Sequence, residues 1–265
     1  MRMKNAIRKF LNKRGYEIIK QPYIGEKFPN ISVTKNEYYC ETPIGNYYLP
    51  MDAENDGVAD TMKRGKLFEP ENIEIAKRFI AKGSTVLDIG ANFGQMAIEF
   101  SKLVGENGVV YAFEAQDKVF AYMKKNFEAN NCKNIIAKEG AVYHENDVVL
   151  IFPEPDIEGQ NPYGANAINP KLSKGREVQT FTIDSLNIST PISFMKVDIQ
   201  GSDIFAMKGA KETILKNKMP IFFEFEQQFQ TQFDTCFQDY VDFVNDINYK
   251  FVETVSSINY LILPK

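Results

Sequence analysis

Val86-Leu87-Asp88-Ile89-Gly90-Ala91-Asn92-Phe93-Gly94, answered after one helical segment by Val110-Tyr111-Ala112-Phe113-Glu114, decides the fold. An apolar run ends in an acid and a glycine turn follows. A second apolar run then ends in another acid, which is the order a βαβ unit requires. The glycines let the backbone approach a ligand closely, and Glu114 is placed to accept hydrogen bonds from ribose hydroxyls. The stretch therefore predicts a cradle for a nucleotide-type cofactor.

Outward from it the elements alternate: strand 85–89, helix 94–104, strand 109–114, helix 117–130 and strand 135–139. Two further strands are expected at 148–152 and 176–182, then strand 194–198, helix 202–216, strand 220–225, helix 234–247 and a closing pair at 250–255 and 259–263. Alternation at this spacing predicts a mainly parallel α/β sheet. Only Ser256-Ser257-Ile258 separates the last two strands, too short a link for anything but antiparallel pairing. Before the core, Phe68-Glu69-Pro70 leads into a helix reaching to about Lys82.

The N-terminal part is an add-on, with boundaries at 1–54 and 55–265. Residues 1–15 carry Met3, Ala6, Ile7, Phe10 and Leu11 on one helical stripe among basic residues, a pattern that suits a membrane surface, a second subunit or the chain's own domain. Residues 31–50 alternate around Thr42-Pro43-Ile44-Gly45 and predict an antiparallel hairpin. The Pro-, Gly- and Asn-rich segment 153–175 is a candidate substrate lid.

Composition narrows the class. With 265 residues, 44% hydrophobic and 25% charged, the chain is an ordinary globular one. A net charge of −4 argues against a sequence-independent nucleic-acid binder. Cys40, Cys132 and Cys236 are odd in number and widely spaced, which gives no disulfide framework or zinc site and suits a reducing compartment. No apolar leader precedes the first helix and no run approaches the roughly 20 residues of a membrane span, so a cytoplasmic location is expected. His144 is the only histidine, which leaves carboxylates, lysines or His144 itself as bases.

Departures from the dinucleotide pattern choose the cofactor. Asn92 stands where a pyrophosphate binder carries its second glycine, and asparagine tolerates left-handed backbone. Asp88 brings a carboxylate to the strand end, repulsive to a pyrophosphate and attractive to an amino acid bearing an ammonium and a sulfonium. S-adenosylmethionine is thus favoured over NAD. A nicotinamide oxidoreductase and a binding or scaffold protein without turnover are the alternatives.

From about Asn55 to Glu226 the chain resembles the FkbM-type methyltransferases. The resemblance rests on Phe68-Glu69-Pro70, Val86 to Gly94, Phe113-Glu114-Ala115, and Met195-Lys196-Val197-Asp198-Ile199-Gln200-Gly201 followed by Lys208-Gly209-Ala210 and Phe223-Glu224. It implies a Rossmann-like class I fold, a seven-stranded sheet with an antiparallel closing strand. It also implies transfer of a methyl group from S-adenosylmethionine, leaving S-adenosylhomocysteine, to a hydroxyl of a sugar, nucleotide-sugar or glycan, as in polysaccharide biosynthesis. Such families usually carry glutamate where this chain has Gln200 and proline where it has Ala115, so position 200 is assigned neither as base nor as metal ligand.

Strand ends then supply the candidate site. Asp198 is the first choice for general base and Glu224 the second. A divalent ion between the two is the alternative, and no residue is assigned as a metal ligand. Cofactor contacts are expected from Glu69, Asp88, Gly90, Asn92, Gly94, Glu114, Ala115 and Asp198, and, at the adenine edge, from Glu139 and Ala141. Lys196 and Glu226 are expected to be structural charges. His144 lies just beyond the third core strand. The expected partner is a small molecule or glycan, with no nucleic acid, and self-association is open.

Overall fold

A strand covered by helices on both faces needs apolar side chains at nearly every position. The computed structural model, which describes residues 29–34, 36–154, 163–164, 166–254 and 256–265, meets this in its central strands. The helix expected at 1–15 and much of the 153–175 segment lie outside the described residues. Three antiparallel strands come first: β1 (Asn30–Val33), β2 (Glu37–Thr42) and β3 (Gly45–Pro50). The expected hairpin is β2 and β3, and β1 adds an outer strand.

Helices α1 (Gly57–Lys63) and α2 (Pro70–Lys77) lead into the core. There follow β4 (Thr85–Ile89), α3 (Gln95–Val104), β5 (Val109–Glu114), α4 (Asp117–Ala129) and β6 (Ile135–Glu139). A small sheet is built from β7 (Ala141–Val142), β8 (Val149–Phe152) and β9 (Arg176–Phe181). The chain returns through β10 (Ile192–Val197), α5 (Asp203–Lys208), α6 (Lys211–Asn217), β11 (Ile221–Glu224), α7 (Gln227–Phe233), α8 (Phe237–Asp246), β12 (Tyr249–Thr254) and β13 (Asn259–Pro264).

The seven-stranded sheet runs β12-β13-β11-β10-β4-β5-β6, with β4, β5, β6, β10 and β11 parallel. β13 is antiparallel to both β11 and β12 and lies between them. The expected antiparallel closing strand is therefore interior, and β12 forms the edge. Alternation along the strands sends Val86, Val110, Ala112, Phe194, Phe222 and Leu261 into one core. Leu87, Phe113, Met195, Val197, Phe223 and Ile262 fill the core on the other face.

Three helices differ from the sequence expectation for local reasons. The helix before β4 stops at Lys77. The predicted 202–216 helix breaks at Gly209, where a Cβ would come 1.9 Å from the Tyr143 carbonyl oxygen. The predicted 234–247 helix is α8 alone, preceded by α7, which ends on Asp234 in left-handed conformation. Among the described residues no helix is long and apolar enough to cross a membrane.

The N-terminal sheet shares the first core through Cys40, Tyr47 and Leu49. Buried Asn126 of α4 ties it to the glycine turn: its Oδ1 accepts from the Tyr48 N–H at 2.6 Å and its Nδ2 donates to the Phe93 carbonyl at 2.8 Å. Gly94 sits at φ 83°, and a Cβ there would meet the Phe127 ring at 2.5 Å. Gly94→Ala is expected to destabilise the fold by about 1–3 kcal/mol through overpacking, read as a lower urea midpoint.

Candidate active site

In an open α/β sheet ligands bind outside the carboxyl ends of the strands. Here the ends of β4, β5, β10 and β11 open into one cavity of about 390 Å³. Its wall is organised by an ion pair across the sheet. Register sets Lys196 of β10 directly beside Asp88 of β4, flanked along the same row by Ala112 and Phe222. Asp88 is 0% exposed and Lys196 4%. Nζ of Lys196 lies 3.5 Å from Asp88 Oδ1 and 3.3 Å from Asp198 Oδ2, and donates to the Gly90 carbonyl at 3.0 Å. One ammonium thus joins two strand ends and the glycine turn. Burial favours its neutral form, but the Asp198 and Asp88 carboxylates overcome this and hold its pKa above the ordinary lysine value.

Around that cation the carboxyl groups divide by protonation. Burial opposes ionisation at Asp198, yet Lys196, with hydrogen bonds from Glu224 and Gln200, holds its pKa below the usual carboxylate range. Glu224 is the reverse: burial, then the charge on Asp198, push it up to about 11. Gln200 Nε2 spans the pair, donating to Asp198 Oδ1 at 3.2 Å and Glu224 Oε2 at 2.9 Å. Glu69, in the same lining, is pushed up to about 7 by burial and by Asp198, and its Oε2 accepts from Asn72 Nδ2 at 2.7 Å. Behind the wall Asp203, fully buried, is likewise raised to about 7 by burial and Asp198.

The β5 side of the cavity has a different chemistry. Glu114 is pinned by two backbone amides, Oε2 accepting from Asn92 at 2.9 Å and Oε1 from Gln116 at 2.8 Å. Each oxygen keeps a second lone pair, and the residue lines the cavity. Two fixed acceptors side by side suit the vicinal hydroxyls of a ribose. Phe113, Val142, Phe152 and Ile168 form an apolar slot beside it, with Ala115, Gly140 and Ala141 lending small residues where a flat ring would lie. The donor set fits S-adenosylmethionine: an acidic lobe for its two cationic groups and a slot with a diol acceptor for its nucleoside.

Most expected site residues meet here. Glu69, Gly90, Asn92, Glu114, Ala115, Ala141, Asp198 and Glu224 line the cavity. Three do not. Asp88 faces Lys196 instead of the cavity, so the attraction expected between it and the cofactor acts on Lys196. Gly94 is required by contact with α4. Glu139 points outward, its side chain 47% exposed, 4.0 Å from Arg176 Nη1. Gly90 lines the cavity, and a Cβ there would also lie 1.8 Å from the Asp198 carbonyl oxygen, so the packing of β4 against the end of β10 by itself requires glycine. Asn92 adopts φ 51°, the left-handed geometry expected of it. Glu224, named as the second base, lines the cavity beside Asp198, with its pKa pushed well above the usual carboxylate range by burial and by the Asp198 charge. His144 lies outside the lining and packs against the Tyr143 and Phe205 rings.

Two features escaped the sequence reading. Lys196, expected only as a structural charge, is the hub of the site. The Tyr163-Gly164 pair, within the candidate lid, lines the cavity and is clasped by Asp56, whose Oδ2 accepts both backbone N–H groups at 3.2 and 2.9 Å. Among the described residues no group of three or more His, Cys, Asp or Glu side chains is arranged to hold a metal ion.

The strand order, with an antiparallel strand inserted beside a parallel sheet and acids closing β4 and β5, defines the class of S-adenosylmethionine-dependent methyltransferases. Residues 88–251 match the family model described as the methyltransferase FkbM domain. The chain belongs to the FkbM methyltransferase family, and S-adenosylmethionine is its cofactor.

A curated relative from Saccharolobus solfataricus, described as "Probable cobalt-precorrin-6B C(15)-methyltransferase (decarboxylating)", is 30% identical over 129 residues, 49% of this chain and 56% of that protein. The chain thus spans about half the length of that relative. A solved methyltransferase FkbM from Methylobacillus flagellatus KT is 14% identical, with 72% of this chain and 49% of that one covered at a TM-score of 0.46. A solved SAM-dependent O-methyltransferase from Thermotoga maritima is 11% identical, with 91% and 87% covered at a TM-score of 0.47.

Removing the hub cation leaves Asp88 buried without compensation. Lys196→Met should cost about 3–5 kcal/mol of unfolding free energy in urea, and adding Asp88→Asn should recover part of it. Protonation gives a second test. The folded chain keeps protons on Glu69 and Asp203 up to about 7, whereas the unfolded chain releases them near the ordinary 4.5 and 3.8. Across that window the folded state binds more protons, so stability falls as pH rises. The melting temperature should fall from about pH 5 to 7.5, while the increment from added S-adenosylmethionine, a cation, grows over the same range.

Proposed function

We propose that the chain is an S-adenosylmethionine-dependent O-methyltransferase whose acceptor is a hydroxyl of a sugar, nucleotide-sugar or glycan. The observation that carries this reading is the ionised Asp198 carboxylate in the cavity wall, held by Lys196 and Gln200. S-adenosylmethionine, when bound, supplies a methyl group already activated on a sulfonium. What remains for the protein is alignment, exclusion of water and removal of one proton.

Asp198 accepts a hydrogen bond from the acceptor hydroxyl, which aims an oxygen lone pair, and takes the proton as the new carbon–oxygen bond forms. Such a base is worth about 10²–10⁴ in rate, and a near-attack pose can contribute ~7–11 kcal/mol. Glu224 keeps its proton and donates to Asp198, and Gln200 holds the two carboxyls together. Glu114, Asn92, Gly90, Ala115 and Ala141 hold the nucleoside, and Glu69 faces the cationic part of the cofactor. Residues 1–54 act as an add-on that helps select the acceptor, and 55–265 form the methyltransferase domain. Free Cys40, Cys132 and Cys236 suit a cytoplasmic enzyme.

Thermal unfolding with S-adenosylmethionine, S-adenosylhomocysteine, NAD and NADP in parallel tests the cofactor. A ligand at 100 times its Kd adds about 2.7 kcal/mol, and each kcal/mol is worth roughly 2–4 °C in a chain of this size. Shifts with the first two alone are expected. Asp198→Asn should retain the shift and lose at least about a hundredfold in methyl transfer. Undiminished transfer by Asp198→Asn would remove it from the mechanism, and cofactor binding without transfer to any hydroxyl compound would favour the scaffold alternative.

A further inference from the structure

The two sides of the cavity differ in charge as well as shape. With the nucleoside on the side of Glu114 and the apolar slot, the acceptor meets the β10–β11 side, bounded by Glu69, Asp198, Gln200, Glu224 and Glu226. Among the described residues the ionisable lining of the whole cavity is Glu69, Glu114, Lys196, Asp198, Glu224 and Glu226, five carboxyl groups against one amine. That amine is fully engaged, bonded to the Gly90 carbonyl and paired with Asp88 and Asp198. Among the described residues the wall itself therefore offers an incoming anion no unpaired side-chain cation. Phosphate and carboxylate recognition normally relies on an arginine, a lysine or a helix N-terminus, and α7, which begins on this side, carries the Glu226 carboxyl group at its N-cap position, where it opposes an anion.

Glu226 marks where the acceptor's own charge would be read. It follows β11, two residues beyond Glu224, and occupies the N-cap position of α7 with no side-chain capping bond. Its Oε2 accepts from Gln228 Nε2 at 2.6 Å, which orients the carboxylate at the rim. Phe229 stands beside it in the lining, its Cβ seated close against Gly201. A carboxylate next to an aromatic ring favours an apolar ring face, and an ammonium above it, over an anion.

Resting on the acceptor reading above, we infer that the acceptor is a hydroxyl compound that is uncharged or carries an ammonium group near the methylated oxygen. Sugar phosphates, uronates and nucleotide-sugars are rejected, and Glu226 sets the preference. This narrows the acceptor to neutral glycans and amino sugars.

The test follows S-adenosylhomocysteine formation by the full chain on two charge-matched series. One is methyl glucoside, glucosamine, glucose phosphate and glucuronate; the other is tyrosol, tyramine and hydroxyphenylacetate. In any series that is methylated, the neutral and ammonium members should exceed the anionic ones by about tenfold or more in kcat/KM. Glu226→Gln should lower the ammonium-to-neutral ratio about fivefold while keeping S-adenosylhomocysteine affinity within about twofold, the check that it folds.

Anionic members that react as well as neutral ones, or a ratio unmoved in Glu226→Gln, would overturn the inference. Transfer in the phenol series alone, in the expected charge order, would remove the sugar acceptor and support the charge rule. Failure to bind S-adenosylhomocysteine would remove both readings, and binding without transfer to any member of either series would count against the charge rule.

Discussion

The site depends on one buried cross-strand ion pair, Lys196 with Asp88. The two residues sit in register on adjacent parallel strands, between apolar neighbours, where an unpaired charge of either sign would be strongly destabilising. Each therefore requires the other. The pair also fixes what lies above it, because the same ammonium bonds the Gly90 carbonyl and holds Asp198 ionised. Asp198, Gly90 and the end of β4 then pack so closely that only glycine fits at position 90. A charge inside the sheet is thus converted into a rigid rim at its edge.

That arrangement sets the proton inventory of the cavity. One cation serves several carboxyl groups, and the nearest, Asp198, takes most of its field. The others respond by keeping protons: Glu224 strongly, Glu69 and Asp203 to near neutrality. The wall is accordingly short of positive charge and holds carboxyl groups that a ligand bearing a sulfonium and an ammonium would help to ionise. Gln200 belongs to the same logic. A third acid at that position would add one more carboxyl to a pair that already shares a proton, whereas the amide donates to both.

Much of the fold was legible in the sequence because it follows from local pattern. The runs ending in Asp88, Glu114, Glu139 and Glu224 announce strands, the glycine turn announces the first crossover, and the three-residue link before Asn259 dictates an antiparallel closing pair. What local pattern cannot carry is the partner across the sheet. Nothing near Lys196 in the chain says that its neighbour is Asp88, more than 100 residues earlier, so the pair itself was not legible: Asp88 was expected as a ligand contact and Lys196 as a structural charge. Gly94 was credited to the cofactor for the same reason, since its contact, Phe127, lies on the next helix but one along the sequence's own path through β5. Where the backbone itself makes the contact, as with Asn92 and Glu114, the sequence reading and the geometry agree.

The insertion of β13 between β11 and β12 carries a consequence for the order in which the molecule assembles. Asn259–Pro264 leaves the ribosome after every other described strand, yet Leu261 and Ile262 are wholly buried in the interior of the sheet. Until those residues arrive, β11 has no neighbour on one side, and Phe222 on one face of the sheet and Phe223 on the other lie beside an open edge. A nascent chain stalled just short of this point would present an exposed, apolar, unpaired strand edge to its surroundings. Vectorial synthesis thus leaves this edge of the sheet open until Asn259–Pro264 has been made.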